Sequence, residues 1–337
     1  MNLYTTLQKL SVLPSVSGRE DGIRALLSEL IAPYADEVRV DNLGNLIAKK
    51  RGTGEGKTVM LCAHMDEIGF LVNFIEDSGL LRVAPIGGIN FAASAFSEVV
   101  SESGIAGVLV PDGKTKPADY GANCFAIDIG VKSRKEAERK VKIGDFFVVR
   151  GGVRRLAGKR ITGSPLDDRI GCAALLAVAE NLWQEMLSAD VYYVFSVQEE
   201  VGCRGAMTAT FGIAPDYALC FDVTGTGDVP GADPMACALG KGAAVKIKDR
   251  SVICHPEVVT SLCTLAEKHK IPYQREVLLY GGTDTSSMQM TGSGSRAGAL
   301  SIPCRYIHSR VETCDMGDAE ACARLATEFV KALPEGK

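Results

Sequence analysis

Histidine is scarce in this chain of 337 residues, which contains only His64, His255, His269 and His308. So few imidazoles restrict the metal and acid–base sites that the chain can build. Long apolar stretches are also lacking: no run of 18 apolar residues occurs, so no membrane span is expected. The amino-terminal segment has no basic region followed by a long apolar one, so no signal peptide is expected either.

Excess positive charge is lacking as well, because 37 Lys and Arg residues face 41 Asp and Glu residues and give a net charge of −4. Nucleic-acid binding by bulk electrostatics is therefore not expected. The eleven cysteines include no Cys-x-x-Cys pair, and several lie in apolar runs, Cys62 and Cys220 among them. We interpret them as buried free thiols of a cytoplasmic protein, with a disulfide framework or a thiolate zinc site as the less favoured alternative.

Familiar catalytic motifs are missing too. The segment GTGEGKT at 52–58 resembles a phosphate loop, but Arg51 stands where the first glycine of that loop belongs. A predicted strand follows the segment, whereas phosphate binding needs the amino terminus of a helix there. Neither G-x-S-x-G nor H-E-x-x-H occurs in the chain. We interpret 52–58 as a plain glycine-rich turn.

The pattern of predicted secondary structure in the first half of the chain changes near residue 68. Before it, Ser17 and Glu20 have the spacing of a capping box and predict the start of a helix, and residues 38–49 predict a hairpin. An apolar strand at 57–63 then leads to His64. From about 68 to 160, short β-like segments alternate with glycine-rich turns, interrupted by one charged helical patch at 133–140.

After residue 160, predicted helices and strands alternate, at 169–186, 190–197, 203–211, 216–221, 256–269, 298–303 and 316–333. Such alternation favours a mostly parallel sheet that is sandwiched by helices. We therefore predict an α/β fold in two domains. Residues 1–67 and 161–337 form the α/β domain, which is split in sequence by a small inserted β-rich domain at 68–160.

Metal-binding side chains recur at or just after predicted strands. They lie in five segments: AHMDEIGF with His64 and Asp66, GSPLDDR with Asp167 and Asp168, VQEEVGCRG with Glu199 and Glu200, LCFDVT with Asp222, and RYIHS with His308. Ligands bind at the carboxyl ends of strands in open α/β sheets. Histidines and carboxylates meeting there suit zinc, cobalt or manganese, and one carboxylate can bridge two ions.

Each segment also has an ordinary interpretation by itself. A Glu-Glu pair is usually a solvated turn, an Asp-Asp-Arg run is often a helix cap with an ion pair, and Asp222 could cap a helix. The combination is harder to dismiss, because half of the histidines take part and the placement at strand ends recurs. Residue chemistry alone therefore favours a hydrolase with two metal ions.

The ordered set AHMDEIGF, LDDR, QEEVGCRGA, FD and RYIHS, together with GGTDTSS at 281–287, resembles metallopeptidase family 42. These are the TET aminopeptidases, also described as glutamyl or deblocking aminopeptidases. The resemblance covers nearly the whole chain and implies the dinuclear zinc aminopeptidase fold. It implies an aminopeptidase that uses two divalent ions per chain, zinc or cobalt, with manganese also suited.

The resemblance also implies residue roles. His64 and Asp222 each hold a metal, Asp167 bridges, and Glu200 and His308 complete the shell of the other metal. Glu199 is the general base, and Asp66 orients His64. The Asp167–Asp168 bond is implied to be cis, Gly281–Thr285 to line the substrate pocket, and Met65 and Cys203 to be packing residues.

Peptides are the implied substrates, and no nucleic acid or membrane is implied as a partner. The inserted β-rich domain is implied to make dimers, which assemble into a hollow tetrahedral dodecamer.

Related families leave alternatives open. Carboxypeptidases and deacylases of family 20 carry an extra domain late in the chain, whereas aminopeptidases of family 28 have no large insertion after the His-x-Asp motif. Here 103 residues separate His64 from Asp167 and only 86 separate Asp222 from His308, which favours family 42. A deacylase or carboxypeptidase remains the main alternative. A glycosidase, which needs only paired carboxylates, ranks lower because it leaves the histidines without a role.

Overall fold

The structure is a computed structural model that describes residues 1–54 and 56–333. The strands, in chain order, are β1 (Glu37–Val40), β2 (Leu46–Lys50), β3 (Thr58–His64), β4 (Gly69–Ile75), β5 (Leu81–Ile86), β6 (Glu98–Ser101), β7 (Ala106–Pro111), β8 (Phe125–Asp128), β9 (Phe146–Val149), β10 (Gly152–Arg155), β11 (Arg160–Ser164), β12 (Asp190–Ser196), β13 (Tyr217–Thr224), β14 (Ala243–Lys248), β15 (Tyr273–Val277), β16 (Arg296–Arg305) and β17 (Glu312–Asp315).

The helices are interspersed among these strands along the chain. They are α1 (Leu3–Leu10), α2 (Asp21–Ile31), α3 (Phe91–Ser94), α4 (Arg134–Ala137), α5 (Arg169–Leu182), α6 (Arg204–Ile213), α7 (Pro256–Lys268), α8 (Thr285–Met290) and α9 (Met316–Lys331). Short 3₁₀ turns occupy Ala32–Tyr34, Pro117–Asp119 and Ala122–Cys124. Among the described residues, no helix has the length and apolar character needed to cross a membrane.

A large sheet forms the body of the molecule. Its strands follow the order β1-β2-β12-β3-β13-β16-β17-β11-β10, and β14 and β15 continue it beside β16. The four central strands β12, β3, β13 and β16 are parallel, whereas the strands that join them from the sides, β2, β14 and β17, pair antiparallel with them. The predicted α/β fold with a mostly parallel sheet is therefore confirmed at the centre of the sheet, and β1 with β2 confirms the predicted hairpin.

Helices cover both faces of this sheet. Side chains alternate along β3, so that Leu61 and Ala63 join the core beneath α5 and α9, whereas Met60 and Cys62 join the core beneath α6 and α8. All eight residues of β13 are buried, as expected of a strand that is covered on both faces. The predicted all-round apolar helix is α5, which packs on the sheet beside α9.

A closed barrel of six antiparallel strands follows β3. The strand order is β4-β5-β8-β7-β6-β9, and the barrel has its own core, which includes Phe70, Leu109, Phe125 and Phe147. Closure removes the exposed edges that an open six-stranded sheet would present. The barrel strands extend from Gly69 to Val149, and β10 already pairs with β11 in the large sheet.

The amino-terminal segment differs from its prediction. The structure adds α1, and the predicted capping box does not form, because Glu20 makes no side-chain cap on α2. Its Oε1 atom instead accepts hydrogen bonds from the backbone N–H groups of Gly18 and Gln198, at 2.7 and 3.2 Å. Ser17 turns toward Asp66. A contact distant in sequence thus replaces the local one that the spacing indicated.

Candidate metal centre

The side chains singled out in the sequence converge at the carboxyl ends of the central strands. His64 is the last residue of β3, and Asp222 lies near the end of β13. Glu199 and Glu200 follow β12, and His308 follows β16. Together with Asp167, which follows β11, these side chains line one cavity of about 400 Å³. The parallel register brings together all of them except Asp167, since neighbouring parallel strands end at the same edge of the sheet.

Asp167 lies at the middle of the cluster. Its Oδ1 atom is 3.1 Å from His64 Nε2, and its Oδ2 atom is 3.2 Å from His308 Nε2. Asp222 Oδ1 lies 3.9 Å from His64 Nε2, and Glu200 Oε1 lies 3.3 Å from His308 Nε2. The ligand atoms therefore form two groups, His64–Asp167–Asp222 and Asp167–Glu200–His308, which share Asp167.

The neighbouring Asp168 has a different position from Asp167. The Asp167–Asp168 peptide bond is cis, as the resemblance implied. Asp168 is the N-cap of α5 and accepts a hydrogen bond from Gly171 N at 3.1 Å. Arg169 contacts Glu67 at 3.2 Å inside the protein. The ordinary interpretation of an Asp-Asp-Arg run as a cap with an ion pair is thus right for Asp168 and Arg169, whereas Asp167 turns into the cavity.

Burial and neighbouring charges shift the pKa values of the ionisable groups in the cluster. Burial raises the pKa of Asp222 well above its usual range, and the negative charge of Asp167 adds to this rise. Burial also tends to raise the pKa of Asp167, but His308 and His64 outweigh it and hold that pKa below its usual range. Burial lowers the pKa of His308, yet the carboxylates of Asp167 and Glu200 raise it to about 12. The cluster thus has a surplus of buried acidic groups that favours cations.

Asp66 lies behind the cavity and is fully buried. The atom of Asp66 nearest to His64 Nδ1 is its backbone oxygen, at 3.1 Å, while its carboxylate Oδ1 is 3.5 Å away. The carboxylate accepts hydrogen bonds from the backbone N–H groups of Glu199, at 3.0 Å, and Glu200, at 3.2 Å. It also accepts one from Ser17 Oγ at 2.6 Å. Asp66 therefore contacts both the histidine side and the glutamate side of the site.

Glu199 points into the cavity but belongs to neither of the two groups that share Asp167. Cys203, in a left-handed conformation at the start of α6, donates from Sγ to Glu199 Oε1 at 3.1 Å. Cys203 therefore does more than pack, whereas Met65 is fully buried in the core as expected. Asp284 is buried beside Glu199 and accepts a hydrogen bond from Ser196 Oγ at 2.5 Å. Burial raises the pKa of Glu199 well above its usual range, and the charges of Asp284 and Glu200 add to the rise.

Two residues that the sequence did not single out position His308. The Gly88 carbonyl, on a barrel loop, lies 2.8 Å from His308 Nδ1. Glu312 Oε1 accepts a hydrogen bond from His308 N at 2.9 Å, and Glu312 Oε2 accepts from Leu166 N and Asp167 N at 2.6 and 3.2 Å. No local pattern could reveal the Gly88 contact, because Gly88 lies 220 residues before the histidine it holds, whereas Glu312 lies only four residues after it.

The donor set itself fits divalent cations. Two imidazole nitrogens and three carboxylates, with no thiolate in either group, are the ligands of borderline metals such as zinc. His64 Nδ1 contacts an oxygen while Nε2 faces the carboxylates, an orientation that metal-binding histidines usually adopt. The residues present are therefore suited to hold metal ions.

Comparisons with known proteins agree with this site. Residues 44–325 match the family model described as M42 glutamyl aminopeptidase. The lysyl aminopeptidase of Pyrococcus furiosus is 36% identical over 98% of this chain and 97% of its own length.

Solved structures match as well. An aminopeptidase of the archaeon Desulfurococcus kamchatkensis superimposes with a TM-score of 0.95 at 38% identity, over 99% of this chain and 95% of that one. The TET1 peptidase of Pyrococcus horikoshii, which can assemble into a tetrahedron or a large octahedral shell, gives 0.86 at 34% identity, over 98% and 100%.

Fold, site and relatives define a hydrolase that acts on peptide bonds, an aminopeptidase. Within that class, the chain belongs to the M42 family, the metallopeptidase family 42 that its motifs resemble.

Proposed function

We propose that this chain removes N-terminal residues from peptides with the help of two divalent metal ions per chain. The observation that carries the proposal is the position of Asp167, whose two oxygens face two different histidines. His64, Asp167 and Asp222 would hold one ion, and Asp167, Glu200 and His308 the other. Zinc and cobalt suit these ligands best, and manganese suits them as well.

Divalent ions at such a site lower the pKa of water and polarise carbonyl groups, which is the chemistry that amide hydrolysis needs. Glu199 is the carboxylate in the cavity that both ligand groups leave free. We assign it the role of general base: it accepts the proton of the attacking water and then delivers a proton to the leaving amine. The hydrogen bond from Cys203 Sγ to Oε1 orients this carboxylate and leaves Oε2 for the water. Asp66 positions Glu199 and Glu200 through their backbone N–H groups.

The test is reconstitution with each metal, followed by a substrate panel. The metal-free chain is loaded with zinc, cobalt or manganese and assayed on aminoacyl anilides, N-acylated amino acids, peptides with a free carboxyl terminus and a soluble β-glucan. Hydrolysis of the anilides, together with release of residues from the peptides only at the amino terminus, supports the aminopeptidase. Release from N-acylated amino acids or from carboxyl termini would identify the deacylase or carboxypeptidase instead, and cleavage of the glucan the glycosidase.

Assembly is a second part of the proposal. The TET1 peptidase of P. horikoshii forms closed shells, and the similarity extends over nearly the whole of both chains. We propose that this chain also forms a closed homo-oligomer, with dimers made through the inserted domain at 68–160 that contains the barrel. Light scattering on the metal-loaded protein should then give a mass many times the 35.8 kDa of one chain. A fully active monomer at micromolar concentration would contradict this part.

The unpaired cysteine thiols suit a protein of a reducing compartment. All eleven cysteines lie among the described residues, none is paired there, and nine are buried. We propose that the protein works in the cytoplasm, where thiols stay reduced. Thiol titration of protein taken from cells under acid quench should find eleven free groups, whereas a protected disulfide would contradict the assignment.

A further inference from the structure

A second cavity adjoins the metal centre. It has a volume of about 510 Å³ and shares Gly225, Leu278, Gly281, Ile307 and His308 with the cavity that contains the ligands. A substrate whose reacting bond lies at the metal centre can therefore extend one side chain into this space, which we call the side pocket. Its size matches that of pockets that hold small molecules.

The wall of the side pocket is mostly apolar. Val229, Met235, Leu278, Tyr280 and Tyr306 line it. Tyr280 and Tyr306 are about half exposed, at 56% and 49%, so the described residues leave part of their surface uncovered. Exposed aromatic surface beside a catalytic centre is typical of a binding site for an apolar group.

The charges in the wall of the side pocket disfavour an acidic side chain of the substrate. Among the described residues, Arg305 is the only Lys or Arg in the lining, and Asp228 occupies its guanidinium through two hydrogen bonds: Nε to Oδ1 at 3.1 Å and Nη2 to Oδ2 at 2.5 Å. Asp233 also lines the pocket, and its carboxylate accepts a hydrogen bond from the neutral Tyr280 hydroxyl at 3.0 Å. The other basic group of the wall, His308, faces Asp167 and Glu200. Among the described residues the wall thus offers no unpaired cation, and it keeps the negative charge of Asp233.

We propose that the side pocket binds the side chain of the N-terminal residue and that it selects apolar residues such as leucine and methionine against glutamate. This inference rests on the proposed function and specifies its substrates. A glutamate side chain in the pocket would lose water without gaining a cation, and it would lie near Asp233; both effects disfavour it. The family description names glutamyl and the P. furiosus relative is named lysyl, so membership does not settle the preference of this chain.

The first experiment measures kcat/KM of the zinc- or cobalt-loaded protein on Leu, Met, Lys and Glu p-nitroanilides. We expect leucine or methionine to be the best substrate, lysine to be intermediate, and glutamate to be worse than leucine by at least about 100-fold, since a charge without a partner is rejected strongly. Glutamate equal to or better than leucine, or lysine better than both apolar residues, would overturn the inference.

The second experiment removes the negative charge that is paired with Arg305. The Asp228→Asn variant removes the charge that occupies Arg305, so kcat/KM for glutamate relative to leucine should rise at least about tenfold, the change expected of a new charge-assisted hydrogen bond. Asp77→Asn is the matched control, because it breaks an exposed pair with Arg134 in the barrel and should leave the ratio unchanged. An unchanged ratio in a folded Asp228→Asn variant would contradict the assigned role of this pair.

A third variant guards against misfolding of the loop that carries Asp228. Met235→Lys adds a cation to the wall and should also raise the ratio of glutamate to leucine. Anilides contain a single amino-acid side chain, so an effect on them locates the N-terminal residue. If Met235→Lys instead altered only the preference between Leu-Glu and Leu-Leu dipeptides, the pocket would hold the second residue and the inference would be wrong. Metal-loaded protein that cleaved no aminoacyl substrate would refute the proposed function itself.

Discussion

The two histidines of the candidate metal centre are held by different means. His64 ends a central strand, is only 2% exposed, and lies beside Asp66 within the same segment. His308 lies in a loop beyond β16 with a φ of +60°, and its side chain is 27% exposed. It depends on the Gly88 carbonyl and on Glu312 for its position. One side of the site is therefore part of the sheet, whereas the other is assembled from loops.

This difference has a consequence for the proposed metal ions. Ligands on a hydrogen-bonded strand are pre-organised, whereas loop ligands belong to the part of a protein that opens most easily. The ion at Asp167, Glu200 and His308 should therefore exchange faster and be lost first to a chelator. The following changes test the comparison, from the largest expected effect to the smallest.

Asp167→Asn should abolish the difference in affinity between the two ions, because both groups of ligands lose the residue that they share. A neutral amide bridges two cations poorly, so we expect the variant to lose both ions and to lose more activity than the ~10²–10⁴-fold that removal of a general base costs. Metal content by mass spectrometry, beside activity, checks this expectation. A variant that kept two ions per chain would show that Asp167 is not the bridge.

Glu199→Gln and Glu200→Gln should separate chemistry from metal binding. Glu199→Gln keeps the size of the side chain but cannot accept a proton, so kcat should fall by about 10²–10⁴-fold while two ions and KM are retained. Glu200→Gln should lose the ion on the loop side, and added zinc or cobalt should partly restore its rate. The measurements are metal content, kcat and KM for both variants. Loss of metal in Glu199→Gln, or a near-normal kcat, would contradict the assigned roles.

Asp66→Asn tests the residue that contacts both sides. One of its oxygens becomes an NH₂ group that cannot accept a hydrogen bond, so either Glu199 or Glu200 loses its backbone partner and should shift. We expect a loss of about 10–100-fold in activity or metal affinity, as for other residues that support metal ligands. Ser17→Ala removes only one bond to the same carboxylate and should cost less. Equal losses in the two variants would mean that Asp66 acts mainly through Ser17.

Gly88→Ala should disturb the loop side alone. The added Cβ would lie 3.1 Å from His308 Nδ1, so the histidine or the barrel loop must move by a few tenths of an ångström. We expect metal affinity on that side to fall by up to about tenfold, the low end for a residue that supports a metal ligand. Gly113→Ala is the matched control, because its Cβ would meet nothing within 4 Å. Chelator titration with both variants checks this, and an equal loss of both ions from Gly88→Ala would remove the proposed asymmetry.

Much of the fold was predictable from local patterns. The apolar strands β3, β12 and β13, the buried helix α5 and the hairpin β1–β2 all follow from periodicity, and polar ligands after apolar strands indicated the end of the sheet where the site lies. The capping box at Ser17 and Glu20 was wrong, because both side chains bond to groups far away in sequence. Local spacing cannot register such competition.

The sequence by itself determined which residue types reach the centre: two histidines and a set of carboxylates, most of them beside a strand whose apolar character sets its place in the sheet. Only the tertiary structure decided that Gly88 and Glu312 hold His308, that Asp66 carries the backbone of the two glutamates, and that Asp228 neutralises Arg305 in the side pocket. Apart from Glu312 and His308, which lie four residues apart, each of these contacts joins groups in different segments of the chain. Their existence depends on the relative placement of loops after folding, which hydrophobic periodicity does not encode.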